Sequence, residues 1–294
     1  MLLSVCLLIG IISVSVLDKN FLAFCDISWS YTGENGPSNW PGVCLTGRRQ
    51  SPIDVNTGDA QAYCDRPFVF RGYDVAVNTY NITNTGHTVS VSSSELRATL
   101  RGGGLPGEYE FDHLHFHWGD SSSLGSEHLL NGRSYPLEVH FVHKLSGLSL
   151  EQALDRDDGL AVLGVFFRLS RSGEPLRFLT NEFRDVVEPG QRTTVHHRAR
   201  SLRPPFSLHR LLPANVHSFY HYHGSLTTPT CNQAVVWTVF PEPLAVTEQQ
   251  LEQFRALQSS DGGAMVNNYR PVQPMNGRQV LLIDAQCSLQ SIRQ

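Results

Sequence analysis

Residues 111–119 read FDHLHFHWG, with His113, His115 and His117 at alternate positions and Trp118 and Gly119 directly behind them. Side chains two apart on a β-strand point to one face, so a single strand would carry all three imidazoles in a row, with Leu114 and Phe116 on its other side. Neutral imidazole is the commonest protein ligand for zinc. The bland reading is a histidine-rich strand on a wet surface; one such residue would be ordinary, but three on one face ask for a reason. A second stretch, Glu138-Val139-His140-Phe141-Val142-His143, puts Glu138, His140 and Val142 on one face and His143 on the other. Antiparallel pairing of the two stretches would bring His140 to the row. Two ligands from one strand and one from its neighbour leave a fourth tetrahedral position open, the pattern of a catalytic zinc site. Glu138 is placed to accept the other ring N–H of a histidine ligand, which fixes the tautomer and raises basicity. Spacing alone leaves open which two of His113, His115 and His117 bind. His143 reads as a structural or surface histidine.

The elements that must position these residues are mostly strands. Short β-branched and aromatic runs recur at 75–83, 88–93, 109–118, 135–143, 160–169 and 234–240, with Gly, Pro, Asn and Ser between them. LAVLGVFFRL (160–169) is almost continuously apolar and predicts a central strand buried on both faces. Helical patterns are confined to 148–156 and 247–258; Thr247 with Gln250 suggests a partial capping box. The expectation is one mainly β (α+β) domain around a large twisted sheet, with short peripheral helices.

The chain has 294 residues, 40% of them hydrophobic and 17% charged, enough for a large core and against global disorder. A net charge of −4 gives no case for nucleic acid or an anionic membrane surface as partner. The opening MLLSVCLLIGIISVSVL is short for a membrane span and predicts a cleaved signal peptide over 1–24, with an uncleaved anchor as the lesser reading. The folded domain would run over 25–285 and a short tail over 286–294, with no stable membrane span in the mature chain. Cys6 would leave with the signal peptide. The other five cysteines form no CxxC pair, which argues against a Cys-rich metal site, and an odd count leaves at least one thiol free or bonded elsewhere. Asn81-Ile82-Thr83 is a glycosylation sequon, consistent with export.

Several stretches together resemble the α-class carbonic anhydrases: LHFHWG, GSEH (125–128), EVHFVH and GSLTTP (224–229), with WSYTGENGPSNW, RRQSPIDV and NNYRPVQPMNGR. The resemblance runs from about Trp29 to about Val280. It implies that family's fold, a zinc ion at the base of a conical cleft, and reversible hydration of carbon dioxide to bicarbonate and a proton. It implies the zinc ligands His115, His117 and His140. His113 then stands where the family often has a glutamine that orients the first ligand, a departure in which an imidazole takes that role. Thr227 matches the threonine that aims the attacking hydroxide, and Glu127 the carboxylate that takes the threonine's proton; Thr228 shapes the polar side of the pocket. Val142, Val162, Leu226, Val235 and Trp237 match the dry wall against which carbon dioxide lies.

Turnover also requires shedding a proton. A donor of pKa near 7 releasing to water at about 10¹⁰ M⁻¹s⁻¹ is held to roughly 10³ s⁻¹, so faster turnover needs a shuttle of matched pKa. His87 in NTGHTVSV matches that shuttle, beside Thr85, Ser90 and Tyr31; at 85 and 90 fast members commonly have asparagine. Cys44 and Cys231 match the disulfide of exported members, while Cys25, Cys64 and Cys287 have no partner that can be derived. His196 and His197 read as a solvated basic loop. Two rivals belong to other classes. An acatalytic carbonic-anhydrase-like binding module would lack a ligand histidine, and all three are present. A cupin-type metal oxygenase also uses HxH, with a carboxylate ligand a few residues on; Glu127, ten residues past His117, is far for that.

Overall fold

The computed structural model describes residues 29–197, 205–285 and 287. The signal peptide expected over 1–24, Cys25 and most of the tail lie outside the described residues. The strands are β1 (Asp54–Val55), β2 (Gln61–Tyr63), β3 (Val69–Arg71), β4 (Thr79–Asn84), β5 (Val89–Ser92), β6 (Thr99–Arg101), β7 (Tyr109–Trp118), β8 (Leu129–Leu130), β9 (Leu137–Leu145), β10 (Leu160–Leu169), β11 (Arg192–His196), β12 (Ser218–Gly224), β13 (Val235–Val246) and β14 (Leu281–Asp284). Twelve of them form one sheet in the order β11-β4-β5-β7-β9-β10-β13-β12-β14-β2, with β6 also pairing with β7 and β3 pairing with β6; β1 and β8 pair separately. Most pairings are antiparallel, but β10 with β13, β14 with β2 and β1 with β8 are parallel.

The strands that carry the histidines lie at the middle of this sheet. β10 sits between β9 and β13, and its first eight residues are buried, as its unbroken apolar run requires. Alternation then sorts the side chains to two cores. Leu114, Phe116, Val139, Phe141, Leu163 and Val165 enter the larger one. Val142, Val162, Val235 and Trp237 enter a second cluster on the opposite face, with Leu226 packed against it. His115, His117 and His140 share that second face.

Helices are short and peripheral, as their sparse periodicity implies. Thr247 caps the helix Glu248–Arg255 through a full capping box with Gln250, and Ser149 does the same for Leu150–Leu154 with Gln152. Among the described residues no helix is long and apolar enough to cross a membrane. Two disulfides close long stretches of chain. Cys44–Cys231 joins the pair that the resemblance implied. Cys64–Cys287, which no spacing rule yields, ties a residue three positions past the last strand to the residue directly after β2. Two such bridges suit an extracellular or lumenal compartment. His196 is not in a loop: it ends β11, which pairs with β4 at the open edge of the sheet.

Candidate metal centre

β7 and β9 pair so that His115 stands directly opposite His140. His117 is two residues along on the same face. One ring nitrogen from each of the three lies within 4.8 Å of the others.

Each ring's tautomer follows from what its other nitrogen meets. His117 Nδ1 is 2.7 Å from the carbonyl oxygen of Asn268, which can only accept, so Nδ1 carries the proton and Nε2 keeps its lone pair. His140 donates from Nε2 to Glu138 Oε1 at 2.8 Å, which frees Nδ1. These two free nitrogens, His117 Nε2 and His140 Nδ1, are 3.1 Å apart. Zinc–nitrogen bonds of about 2.0–2.1 Å at a tetrahedral angle set neighbouring donors about 3.3 Å apart. Two lone pairs this close repel unless a cation lies between them, so the donor set fits zinc. His115 turns Nδ1 to His113 Nε2 at 3.2 Å, leaving Nε2 for the metal and His113 behind the triad. Burial pulls the His117 pKa down to about 3 and lowers those of His115 and His140, so all three rings are neutral and ligand-competent at pH 7. Asp120, three residues after His117, is exposed and bonded to Asn267, so no carboxylate joins from that turn.

Two buried carboxylates flank the triad. Glu138 is wholly buried and accepts from His140, from His128 Nδ1 at 2.7 Å and from the His128 backbone N–H at 2.9 Å. Burial pushes its pKa up, but the two histidines and the N–H groups they donate outweigh it and hold the carboxyl below its usual range. Gly164, opposite His140 on β10, makes room for it: a Cβ there would come within 3.0 Å of Glu138 Oε1. Glu127 is set differently. Burial raises its pKa well above the usual range, against the Arg270 N–H donated to Oε1 at 2.8 Å and the nearby Thr227 hydroxyl. Its Oε2 has no hydrogen-bond partner and sits 3.4 Å from His117 Nε2, so Thr227 is a close neighbour rather than a completed donor. A divalent cation among the imidazoles would favour the ionised carboxylate.

The remaining candidates are placed around this core. Val162 pairs with Val142 and with Trp237 across the strands, and the His140 ring meets Trp237 edge-on at 4.8 Å. Val235 belongs to the same apolar cluster and the half-buried Leu226 packs against it. Thr228 lies on the loop after β12, where its carbonyl accepts from the Cys231 N–H at 2.8 Å. Cys44–Cys231 pins this loop, and Gln50 donates to the Cys231 carbonyl. His87 sits apart from the triad, its ring stacked on Trp29 with 3.9 Å between centroids, beside a cavity of about 150 Å³ that Tyr31 and Asp261 also line. Burial lowers its pKa, and Asp261 works against that. Asn81 lies in β4 rather than a loop, its Oδ1 accepting from Thr194 at 2.9 Å. His143 is fully buried and bonds Tyr73, a structural role.

Sequence reasoning missed three supports of the site. His128 stands beside Glu127 in GSEH, yet its bonds to Glu138 and to the Tyr222 hydroxyl are long-range. Asn268 and Arg270 lie in NNYRPVQPMNGR, whose quotation gave no role to either. Arg270 is buried and donates to Gln50, Ser51 and the Cys44 carbonyl, bracing the disulfide against the Glu127 loop.

A large sheet bearing three converging imidazoles, each with its second nitrogen spoken for, forms a site that could hold a metal ion. Comparison with known proteins gives the family. The profile of the eukaryotic-type carbonic anhydrases matches residues 35–283. The chain is 39% identical to putative carbonic anhydrase 3 of Caenorhabditis elegans over 263 residues, covering 87% of this chain and 98% of that one. It is 36% identical to putative carbonic anhydrase 5 of the same organism, covering 87% and 81%, and 36% identical to carbonic anhydrase 7 of Mus musculus, covering 86% and 96%. The chain belongs to the eukaryotic-type carbonic anhydrase family. That family is zinc-dependent and acts on carbon dioxide and bicarbonate.

Proposed function

We propose that this chain is an active, exported zinc carbonic anhydrase that interconverts carbon dioxide and water with bicarbonate and a proton. The observation that carries the reading is the convergence of His115 Nε2, His117 Nε2 and His140 Nδ1, all neutral and unprotonated on the inward side. Zinc bound there supplies a Lewis acid and makes hydroxide available near neutral pH, an effect for which this family is itself the reference case.

The chain's own groups do the rest. Ionised Glu127 is acceptor-only, so it takes the Thr227 proton and leaves the threonine oxygen to accept. That fixes the direction of the attacking oxygen's lone pair, an effect of orientation rather than affinity. Val142, Val162, Leu226, Val235 and Trp237 exclude water on the side where an apolar substrate rests, while Thr228 offers a polar edge for bicarbonate. His87 takes the product proton to bulk water. Its lowered pKa favours unloading it. Export is supported by the disulfides, which persist in oxidising compartments.

Stopped-flow carbon dioxide hydration on purified, zinc-quantified protein tests this, with His115→Ala as control. Zinc-dependent hydration that collapses in the control is the expected result. A folded chain holding one zinc and hydrating no faster than buffer would refute it and leave a binding role.

A further inference from the structure

β7 does not run regularly into the site. Its pairing with β9 shifts between Phe111 and His113, so Asp112 is the extra residue of a β-bulge. In a regular strand residues 112 and 113 would face opposite ways. A bulge bends the strand and re-aims the side chain it carries. Here Asp112 Oδ2 lies 2.7 Å from His113 Nδ1, and His113 Nε2 lies 3.2 Å from His115 Nδ1. The rings of His113 and His115 stack at 27°. A carboxylate, two imidazoles and the metal-facing nitrogen of His115 thus form one chain.

Proton accounting gives that chain a direction. The N–H from His113 holds the Asp112 carboxyl below its usual range, so it is ionised and can only accept. His113 Nδ1 therefore donates, and its Nε2 accepts from His115 Nδ1. Only His115 Nε2 is then left for the metal. Lys144 on the facing strand is ion-paired with Glu110 at 2.9 Å and does not take Asp112 for itself.

We propose that Asp112 and His113 are positioning residues: a carboxylate–imidazole relay, created by the bulge, that locks the tautomer and angle of His115 and tightens its hold on zinc. The relay rests on reading His115 as a zinc ligand. A glutamine at position 113 would also accept from His115 through its amide oxygen, and its NH₂ could still donate to Asp112, so it does not break the relay. A leucine there offers neither donor nor acceptor and uncouples Asp112 from the metal.

Zinc release from the loaded protein, into excess dipicolinate and followed by atomic absorption of the retained metal, tests this without reference to activity. The set is the unsubstituted chain, Asp112→Asn, His113→Leu and the double variant. Outer partners of ligand histidines typically change metal affinity 10–100-fold. His113 and Asp112 are 32% and 37% exposed, so water screens their interaction and the effect falls at or below the low end. Asp112→Asn should speed release about threefold to tenfold in the native background, and less than about twofold when His113→Leu is already present. The ¹⁵N-resolved signal of the His115 Nδ1 proton should move with Asp112→Asn in the first background only. Release unchanged by Asp112→Asn in the native background, or accelerated equally in both, would overturn the relay. An unsubstituted chain that takes up no zinc would sink the reading of the site itself, and the relay with it.

Discussion

Glu138→Gln separates shape from proton count at the centre of the site. Glu138 accepts three N–H groups: Oε1 from His140 Nε2 and His128 Nδ1, Oε2 from the His128 backbone. Glutamine keeps the outline but has one acceptor oxygen and one NH₂ group. With the amide oxygen in the Oε1 position, its NH₂ faces the His128 backbone N–H, and that donor cannot be moved. With the oxygen in the Oε2 position, its NH₂ faces both imidazoles, and His140 must shift its proton to Nδ1, the nitrogen the metal needs. The first arrangement leaves a buried donor unpaired, at about 1–3 kcal/mol. The second charges a similar amount to metal binding. At about 1.4 kcal/mol per tenfold, zinc affinity or the stability of the zinc-loaded protein should fall by roughly 5–150-fold in equilibrium constant. Chelator competition gives the first quantity and guanidinium unfolding with and without zinc gives the second. If both match the unsubstituted protein within twofold, the hydrogen-bond bookkeeping around Glu138 is wrong.

Other substitutions read out other parts of the molecule. Thr227→Val should leave zinc content unchanged and lower kcat/KM for hydration by about 10²-fold, the usual cost of one lost orienting group; stopped-flow kinetics decides. Asp261→Asn should lower the His87 pKa, because the carboxylate favours the imidazolium; titrating the ring's Cε1 proton by NMR checks the sign. Cys64→Ser with Cys287→Ser should cost about 2–4 kcal/mol in guanidinium unfolding, because the bridge closes a long loop, while zinc release stays unchanged. Gly164→Ala should destabilise by about 1–3 kcal/mol and speed zinc release, since the new methyl presses on a carboxylate that three hydrogen bonds hold still.

What could be read from the sequence was what a short window carries. The alternation in 109–118 and the apolar run in 160–169 matched β7 and β10 to the residue, because side-chain period and burial are local signals. β12 escaped because SFYHYHG mixes histidine with aromatics and looks neither alternating nor apolar. The three-residue strands β2, β3 and β6 were too short for any period. At the site, spacing put three histidines in a row but left the ligand pair open. The groups that decide it come from elsewhere: the carbonyl of Asn268 is 151 residues from His117, and His140 is in register with His115 only after pairing. The bulge at Asp112 has no sequence signature either, since FDHLH reads as regular alternation.

The same arrangement sets metal binding against the packing of the fold. Two ring lone pairs face each other at 3.1 Å, and Glu127 Oε2 is buried without a partner. Leaving a buried acceptor unsatisfied costs about 1–3 kcal/mol. Neither feature serves the fold: apolar side chains in these positions would pack the middle of the sheet without the penalty. Both are relieved by one positive charge between the rings. A buried donor set of this kind is organised for a cation. Zinc should therefore raise unfolding stability with the logarithm of its free concentration above the dissociation constant. Asn268, Glu138 and His113 hold the three rings from separate parts of the chain, so their ligand nitrogens are oriented by the fold rather than by the ion.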